Sequence, residues 1–419
     1  DFKGENQCTT WGMGFNNKIK ILKSQNMPNS LGMFYATFTS ILGYKPDSDE
    51  WKVMAMSGYN YDCKEYVTKL RKTYKLLKNG ELELIAKYFS YSNQGNFNSL
   101  YTKELMNLLN VRDVSYRNSP TKKQIRIAKA LQFCAEEIAV HFLNHLYKIT
   151  KCKNVALGGG FFMNSVFNGK IVKKTKFENS YIPHSPTDLG NSIGSALYLY
   201  YNILNKKKIK LKNTAYLGPE FNNNKILQAL KKRNIKYYKI NNFAKVVAEK
   251  CLEGQIVAFF RNRLEFGDRA LGCRSILADP RFNKMKQKIN DSIKYRESYR
   301  PFAPAVIDEK KHLYFEISKK DQFNYMEKVV KVKKNYQKKL QAITHLDGSA
   351  RVQTVDKKDN KDFYNILKEF EKLSNFPILL NTSFNINGEP IVCSPDDALN
   401  TFFNSQLDVL IIGDYMIRK

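Results

Sequence analysis

The sequence of 419 residues lacks the features of secreted and membrane-spanning proteins. Its seven cysteines are scattered, odd in number and never spaced as Cys-x-x-Cys, which excludes a disulfide framework and a zinc ribbon. No run approaches the roughly 20 apolar residues of a membrane helix. The opening segment, Asp1 to Trp11, has no basic stretch followed by an apolar one, so no signal peptide is recognisable. We therefore expect a protein of the reducing cytoplasm without a membrane partner.

Acidic residues are scarce relative to basic ones. The 69 Lys and Arg stand against 39 Asp and Glu and give a net charge of +30. Such an excess first suggests nucleic acid, whose phosphates Lys and Arg neutralise. The lysines, however, are dispersed along the whole chain, as they are on solvated helix faces and loops. We interpret the excess as a compositional drift toward lysine and do not expect a nucleic-acid partner.

Arginine, by contrast, is concentrated in one region. Seven of the 14 arginines lie between residues 261 and 300, and Arg351 follows nearby. The planar guanidinium binds phosphate or carboxylate in a bidentate way that an ammonium cannot. Structural pairs with Glu265 and Glu297 account for one or two of these arginines at most. The concentration therefore predicts a pocket for a polyanionic small molecule.

The order of elements predicts two domains. A short strand at Asn154–Leu157 leads into the turn Gly158–Gly160 and a new helix, which is typical of an α/β nucleotide-binding domain. The charged stretch 205–213 predicts a linker, and the second half is α+β. We therefore place the domains at 1–212 and 213–419. Other predicted elements are the helices 30–42 (with Ser30 as N-cap), 128–149, 192–201, 224–233 and 244–252, and the strands 18–22, 181–183, 235–240, 255–260, 303–307 and 377–380.

Two patterns in the first domain are suited to ligands. The turn Gly158–Gly160 lets a ligand approach the backbone and presents N–H groups to negative charge, although a tight turn explains the glycines equally well. Asp188 stands just before a predicted helix start. Its spacing alone favours a helix cap over the alternative, a metal ligand.

Two pairs in the second domain are suited to phosphate. Lys294 and Arg296 are two residues apart and point the same way if the segment is extended. Ser383 and Asn385 follow a predicted strand on one face. Hydroxyl and amide groups beside basic residues suit a phosphate or a carbamoyl group.

Four long segments together resemble the signature set of the O-carbamoyltransferases, the family of the nodulation-factor enzymes and of the cephamycin- and tobramycin-type antibiotic enzymes. The resemblance extends over nearly the whole chain, because NVALGGGFFMN (154–164) and Asp188 also look like the family's first domain. The four segments are RLEFGDRALGCRSILADPR (263–281), KYRESYRPFAPAV (294–306), SARVQTV (349–355) and LLNTSFNINGEPIVCSPDDA (379–398).

This resemblance implies a TsaD-like domain of the actin-type ATPase fold followed by a YrdC-like domain. The YrdC-like domain would make carbamoyl-adenylate from carbamoyl phosphate and ATP, with Mg²⁺. The TsaD-like domain would transfer the carbamoyl group to a hydroxyl of a small metabolite or sugar, with iron(II) or another divalent metal. The family's His-rich metal-binding segment, which would precede Asp1, is not in this sequence, so we expect a weakly held metal.

The resemblance also assigns roles to single residues. The catalytic residues are Lys294, Arg296, Arg269 and Arg274. The residues that would bind ATP and carbamoyl phosphate are Arg263, Arg300, Arg351, Ser383 and Asn385. In the first domain, Gly159, Gly160 and Asn164 would bind the adenylate, and Asp1 and Asp188 would bind the metal. The resemblance thus favours a metal ligand at Asp188, whereas the spacing alone favoured a helix cap.

Two alternatives stay open. Both component folds are shared with tRNA threonylcarbamoyl-type modification enzymes, and the chain is basic. A non-catalytic nucleotide-binding partner of another protein is the second alternative. The acceptor has no recognisable motif. The sequence does not fix the oligomeric state, and a homo-oligomer stays possible.

Overall fold

The computed structural model describes residues 1–90, 100–117, 119–209 and 214–419. The chain divides into two compact units, Asp1–Lys212 (unit 1) and Asn213–Lys419 (unit 2). Residues 210–213 of the predicted linker lie outside the described residues. In the parts of the chain that are described, none of the helices combines the length and the apolar character needed to cross a bilayer.

Unit 1 joins small sheets to a set of helices. Its described strands are β1 (Gln7–Phe15), β2 (Lys18–Asn26), β3 (Tyr74–Leu76), β4 (Leu82–Leu84), β5 (Asn154–Ala156) and β6 (Asn179–Tyr181). Its described helices are α1 (Leu31–Ile41), α2 (Glu50–Met56), α3 (Lys64–Leu70), α4 (Lys103–Leu109), α5 (Lys122–Thr150), α6 (Ser165–Asn168), α7 (Ile171–Lys174) and α8 (Asn191–Leu197), the last continued by a π-helical segment, Tyr198–Ile203. The pairs β1–β2 and β3–β4 are antiparallel, and β5–β6 is parallel.

Side-chain caps fix where the main helices of unit 1 begin. Ser30 is the N-cap of α1 and accepts a 3.0 Å hydrogen bond from the Met33 N–H, as predicted. Thr121 and Gln124 form a capping box at the start of α5. The buried face of α5 packs against α1, α2 and α3. The glycine turn follows β5 directly, so it lies at the carboxyl end of a parallel strand.

Unit 2 is built on a mixed sheet. Its strands are β7 (Tyr238–Lys239), β8 (Val257–Phe260), β9 (Arg274–Ala278), β10 (Ala303–Ile307), β11 (Val329–Lys331), β12 (Ser349–Arg351), β13 (Gln353–Val355), β14 (Ile378–Ser383), β15 (Val409–Ile412) and β16 (Tyr415–Arg418). Its helices are α9 (Asn223–Lys232), α10 (Phe243–Leu252), α11 (Met285–Ile289), α12 (Lys311–Tyr314), α13 (Lys334–Gln337), α14 (Lys361–Ser374) and α15 (Pro395–Phe403).

Within residues 214–419 eight strands pair in the order β13-β10-β14-β9-β8-β15-β16-β7. The pairs β10–β13 and β8–β15 are parallel, and the other pairs are antiparallel. Side chains alternate along each strand between two cores: α10 and α14 cover one face, and α9, α11 and α15 cover the other. Unit 2 is therefore a three-layer sandwich.

The mixed α/β class is confirmed, whereas the TsaD-like and YrdC-like identities of the two units stay predictions. Most predicted elements are present within a few residues. The strand expected at 235–240 is only the two-residue β7, and the strand expected at 181–183 is β6, which ends at Tyr181. The helix expected at 192–201 changes to π-helical winding after Leu197.

Candidate functional site

Lys294 joins two loops of unit 2 that are distant in sequence. It ends a π-helical turn, Asn290–Lys294, and its side chain reaches the loop after β14. The ammonium donates to the Ser383 carbonyl (2.6 Å) and Oγ (3.2 Å) and to the Asn385 carbonyl (2.9 Å) and Oδ1 (2.7 Å). Since Lys294 is only 5 % exposed, these four oxygens replace its hydration shell.

The structure thus brings together the two pairs singled out in the sequence. Ser383 Oγ donates to Asn385 Oδ1 at 2.7 Å, so these side chains do share one face. The segment from Lys294 to Arg296 is not extended, because the π-helical turn precedes it and Tyr295 has a left-handed backbone (φ 41°). The kink at Tyr295, rather than strand alternation, sets the directions of the two basic side chains.

Lys294 and four arginines are connected by the effects of their charges on one another, and we call the five residues the cationic cluster. They are Lys294, Arg296, Arg300, Arg351 and Arg269. Burial, and then the charges of Arg296 and Arg300, hold the pKa of Lys294 well below its ordinary value. Burial, and then Arg269, Arg296 and Arg300, do the same to the pKa of Arg351. These mutual effects place the five groups in one electrostatic environment.

Arg296 is the best-anchored arginine of the cluster. Its Nε donates to Asn290 Oδ1 at 3.0 Å, and its guanidinium lies 4.2 Å from the centre of the Phe302 ring. Burial, and then the Arg300 charge, hold its pKa well below the ordinary value. Arg300 in turn forms a 3.2 Å ion pair with the buried Glu297. The cluster is therefore positioned from several sides.

Carboxyl groups offset the cluster only in part. Glu389 favours the charged form of Lys294, and Glu297 that of Arg296. Asp268, and then Glu327, favour the charged form of Arg269. Burial raises the pKa of Glu327 and so weakens its contribution of negative charge. The pKa values of Lys294, Arg296 and Arg351 nevertheless stay well below their ordinary values. A group of basic side chains that disfavour one another's charge is suited to a polyanion.

Arg274 does not join the cluster. It is fully buried in β9, and its guanidinium donates to the carbonyls of Arg261 (3.0 Å), Asn262 (3.1 Å) and Cys273 (3.2 Å). It also lies 3.6 Å from the centre of the Phe260 ring. Because main-chain carbonyls hold these N–H groups, this geometry makes Arg274 a structural residue and does not support its predicted catalytic role.

Three other arginines of the segment also lie outside the cluster. Arg263 is exposed and donates to the Leu217 carbonyl at 2.9 Å, so nothing places it with Lys294. The remaining two form ion pairs: Arg261 with Asp362 (3.2 Å) and Asp414 (2.7 Å), and Arg281 with Asp279 (2.6 Å). More of the arginines are structural than the sequence suggested.

Two residues of this region were missed from the sequence. Burial, and then the Arg296 charge, lower the pKa of Lys286, which is thus a further basic group beside the cluster. Glu389 faces Lys294, as described above. Lys286, Asn290 and Lys294 follow each other at intervals of four residues, and this helical spacing was a signal available in the sequence.

In unit 1, the glycine turn holds the carboxylate of Asp1. The Asp1 Oδ1 atom accepts hydrogen bonds from the N–H groups of Phe2 (2.8 Å) and Gly160 (2.9 Å). Gly159 has φ 107°, and a Cβ there would lie 3.2 Å from the Asp1 side chain. The structure thus brings Asp1, Gly159 and Gly160 together. The turn does present an N–H to negative charge, here that of a side chain.

Asn164 has internal partners. Its Oδ1 accepts from the Phe167 N–H at 3.0 Å and so caps α6. Its Nδ2 donates to Gln132 Oε1 (2.9 Å), and Gln132 Nε2 donates back at 3.1 Å. Because both polar atoms are engaged within unit 1, the geometry gives Asn164 a structural role and does not support contact with an adenylate.

Asp188 is exposed in a short turn, Asp188–Gly190, and makes no capping hydrogen bond. Burial, and then the negative charge of Asp188, raise the pKa of Asp47. Across the described ranges, no three His, Cys, Asp or Glu side chains are grouped as metal ligands. The residues present around Asp1 and Asp188 do not fit a metal centre, and we derive no step through one.

Comparison with known proteins agrees with these features. Residues 1–197 match the family model for the carbamoyltransferase N-terminus, and residues 248–419 match that for the carbamoyltransferase C-terminus. Nodulation protein NolO of Bradyrhizobium diazoefficiens is 34 % identical over 93 % of this chain and 69 % of its own length. Nodulation protein NolNO of Sinorhizobium fredii is 33 % identical over 97 % of this chain and 58 % of its own length.

The large mixed sheet of unit 2, with helices on both faces, makes this a protein of the mixed α/β class. The chain belongs to the carbamoyltransferase family, which confirms the family resemblance drawn from the sequence. The protein sll1178 of Synechocystis sp. is a further relative, 34 % identical over the whole of this chain and 72 % of its own length. The chain spans between 58 and 72 % of these three relatives, so the activity of a whole protein is a matter for proposal.

Proposed function

We propose that unit 2 forms carbamoyl-adenylate from carbamoyl phosphate and ATP, and that the carbamoyl group then passes to a hydroxyl of a small metabolite or sugar. In this proposal unit 2 is the YrdC-like half and unit 1 the TsaD-like half of a cytoplasmic O-carbamoyltransferase. The observation that carries the proposal is the cationic cluster: basic groups close enough that their charges hold the pKa values of Lys294, Arg296 and Arg351 well below their ordinary values.

The chemistry explains why such a cluster is needed. Carbamoyl phosphate first loses inorganic phosphate to water, which leaves carbamate. A carbamate oxygen then attacks the α-phosphorus of ATP, bound with Mg²⁺, and pyrophosphate leaves with the electron pair of the broken P–O bond. Each step brings anions together. Preorganised guanidinium groups stabilise their negative charge and so offset the repulsion between them.

The residues of unit 2 divide this work. Lys294 fixes the loop that carries Ser383 and Asn385, so hydroxyl and amide groups face the anions in a constant geometry. The Arg351 side chain makes no hydrogen bond or ion pair within residues 214–419, which leaves its guanidinium to the ligand. Arg296 and Arg300 neutralise phosphate oxygens from fixed positions.

The test is pyrophosphate release from ATP that depends on carbamoyl phosphate, measured on the full chain. We expect Lys294→Ala to lower the rate at least 100-fold, because the loop at Ser383 loses its anchor and the site loses a charge. Lys284→Ala is the matched control, at an exposed lysine ten residues before Lys294. Circular dichroism and melting temperature check that the Lys294 variant is folded.

Two outcomes would overturn the proposal. The first is a folded wild-type chain that binds ATP but releases no pyrophosphate when carbamoyl phosphate is added. The second is a folded Lys294→Ala variant as active as Lys284→Ala. If Lys294→Ala does not fold, Arg351→Met gives the same test, since among the described residues of unit 2 the Arg351 side chain has no hydrogen-bond or ion-pair partner to lose.

A further inference from the structure

A buried hydrogen-bond acceptor lies in the loop that leads into β12. The turn there is closed by the His345 N–H, which donates to the Ser349 carbonyl at 2.7 Å. His345 Nδ1 is 3.1 Å from Ser349 Oγ, and Ser349 Oγ is 2.5 Å from Asp347 Oδ1. The other ring nitrogen, His345 Nε2, is buried and has no hydrogen-bond partner within residues 214–419.

The chain of contacts fixes which nitrogen carries the proton. Burial disfavours the ionised form of Asp347 and so acts to raise its pKa. The hydrogen bond from Ser349 and the charge of Lys331 outweigh this effect and hold the pKa of Asp347 below its ordinary value. An ionised carboxylate only accepts, so the single hydroxyl proton of Ser349 goes to Asp347. Ser349 Oγ must then accept from His345 Nδ1–H. His345 Nε2 is left with a lone pair.

The imidazole is also kept neutral. Burial, together with the charges of Arg351 and Lys286, holds the pKa of His345 well below its ordinary value, although Asp347 acts in the opposite direction. Ser349 and Arg351 are two apart on β12 and project to the same side of the strand. His345, attached to Ser349, therefore stands on the Arg351 side, beside the cationic cluster.

We propose that His345 Nε2 accepts an N–H of the carbamoyl group and so selects carbamoyl phosphate over other acyl phosphates; this rests on the function proposed above. Lys and Arg side chains only donate hydrogen bonds, so they bind the phosphate of any acyl phosphate. The carbamoyl group differs from an acetyl group by an NH₂ in place of a methyl. A methyl group would leave the buried Nε2 unpaired, which is unfavourable.

The experiment uses acetyl phosphate as the probe of selectivity. Pyrophosphate release is measured with carbamoyl phosphate as substrate, and acetyl phosphate is titrated as a competitor. His345→Asn keeps an amide near the Ser349 contact but does not reach the position of Nε2. We expect it to raise KM for carbamoyl phosphate about 10-fold, with KM for ATP and Ki for acetyl phosphate unchanged.

A second variant tests the acceptor itself. In His345→Gln the amide oxygen reaches the position of Nε2, so we expect most of the preference for carbamoyl phosphate to return. Equal preference in the wild type and in a folded His345→Asn overturns this inference, as does a His345→Gln variant no more selective than His345→Asn. If His345→Asn does not fold, the selectivity of His345→Leu decides in the same way. A wild-type chain without turnover would instead refute the function proposed for unit 2.

Discussion

Arg351→Met is expected to make the unliganded protein more stable and its complex with ATP weaker. Burial, and then the charges of three other arginines, hold the pKa of Arg351 well below its ordinary value. Methionine keeps the apolar stem and removes the charge. A residue retained for packing alone would behave differently, because its replacement would lower stability without changing ligand affinity.

The magnitude follows from the like charges around it. As a general scale, two like charges about 8 Å apart at an effective dielectric constant of about 20 repel each other by about 2 kcal/mol. Screening by solvent and salt reduces the sum, and we expect a net gain of about 1–3 kcal/mol in the free energy of unfolding. Loss of one charge-assisted hydrogen bond to a phosphate is about 1.5–3 kcal/mol, which raises Kd for ATP about 10- to 150-fold.

Calorimetry is the suitable assay. Both tryptophans, Trp11 and Trp51, lie in unit 1, so tryptophan fluorescence would not report unit 2. In a unit of this size the expected gain raises Tm by about 3–8 °C without ligand, and salt should raise Tm of the wild type more than that of the variant. Arg418→Met, at an exposed arginine, is the matched control. A lower Tm with unchanged Kd would refute the reasoning.

Three further predictions concern the framework. Gly159→Ala forces a positive φ on a residue with a Cβ, so unit 1 should lose about 1–3 kcal/mol, read by tryptophan fluorescence in urea; an unchanged midpoint would contradict this. Arg274→Lys should lower the calorimetric Tm of unit 2 while the folded variant keeps its Kd for ATP, because Arg274 donates to main-chain carbonyls. A changed Kd would instead show that Arg274 contributes to ATP binding. The Arg261 hydrogen bond lowers the pKa of Asp414, so its stabilisation is complete above the ordinary aspartate pKa of about 4 and is lost as the pH falls. Asp414→Asn should therefore lose less stability than the wild type between about pH 5 and pH 3, and parallel pH profiles would contradict it.

The meeting of Ser383 and Asn385 was predictable because it depends on local pattern. The loop leaves a buried strand, and the two side chains share a face. The switch from lysine to arginine after residue 260 likewise drew attention to the segment that carries Arg269, Arg296 and Arg300, whose role in binding stays a prediction. Sequence reasoning works here because strand alternation and the bidentate geometry of guanidinium are short-range properties.

The distinction between binding and structural arginines was not predictable, because it depends on what surrounds each side chain. Arg274 and Arg296 belong to the same motif set, yet β9 buries Arg274 against main-chain carbonyls whereas the turn at Tyr295 directs Arg296 toward Phe302. A left-handed tyrosine has no sequence signature. The carboxylate of Asp1 on the glycine turn is likewise a tertiary contact between residues 159 positions apart.

The arginines of unit 2 divide by their partners, and this division bears on what the protein does. Arg261 and Arg281 pair with carboxylates and Arg274 with carbonyls, so each of them stabilises the fold without any ligand. The Arg351 side chain has no such partner in the described part of unit 2, and its burial beside like charges raises the free energy of the unliganded state. A fold gains nothing from that arrangement unless an anion completes it. The unpartnered charge, rather than the number of arginines, is therefore the feature that indicates binding.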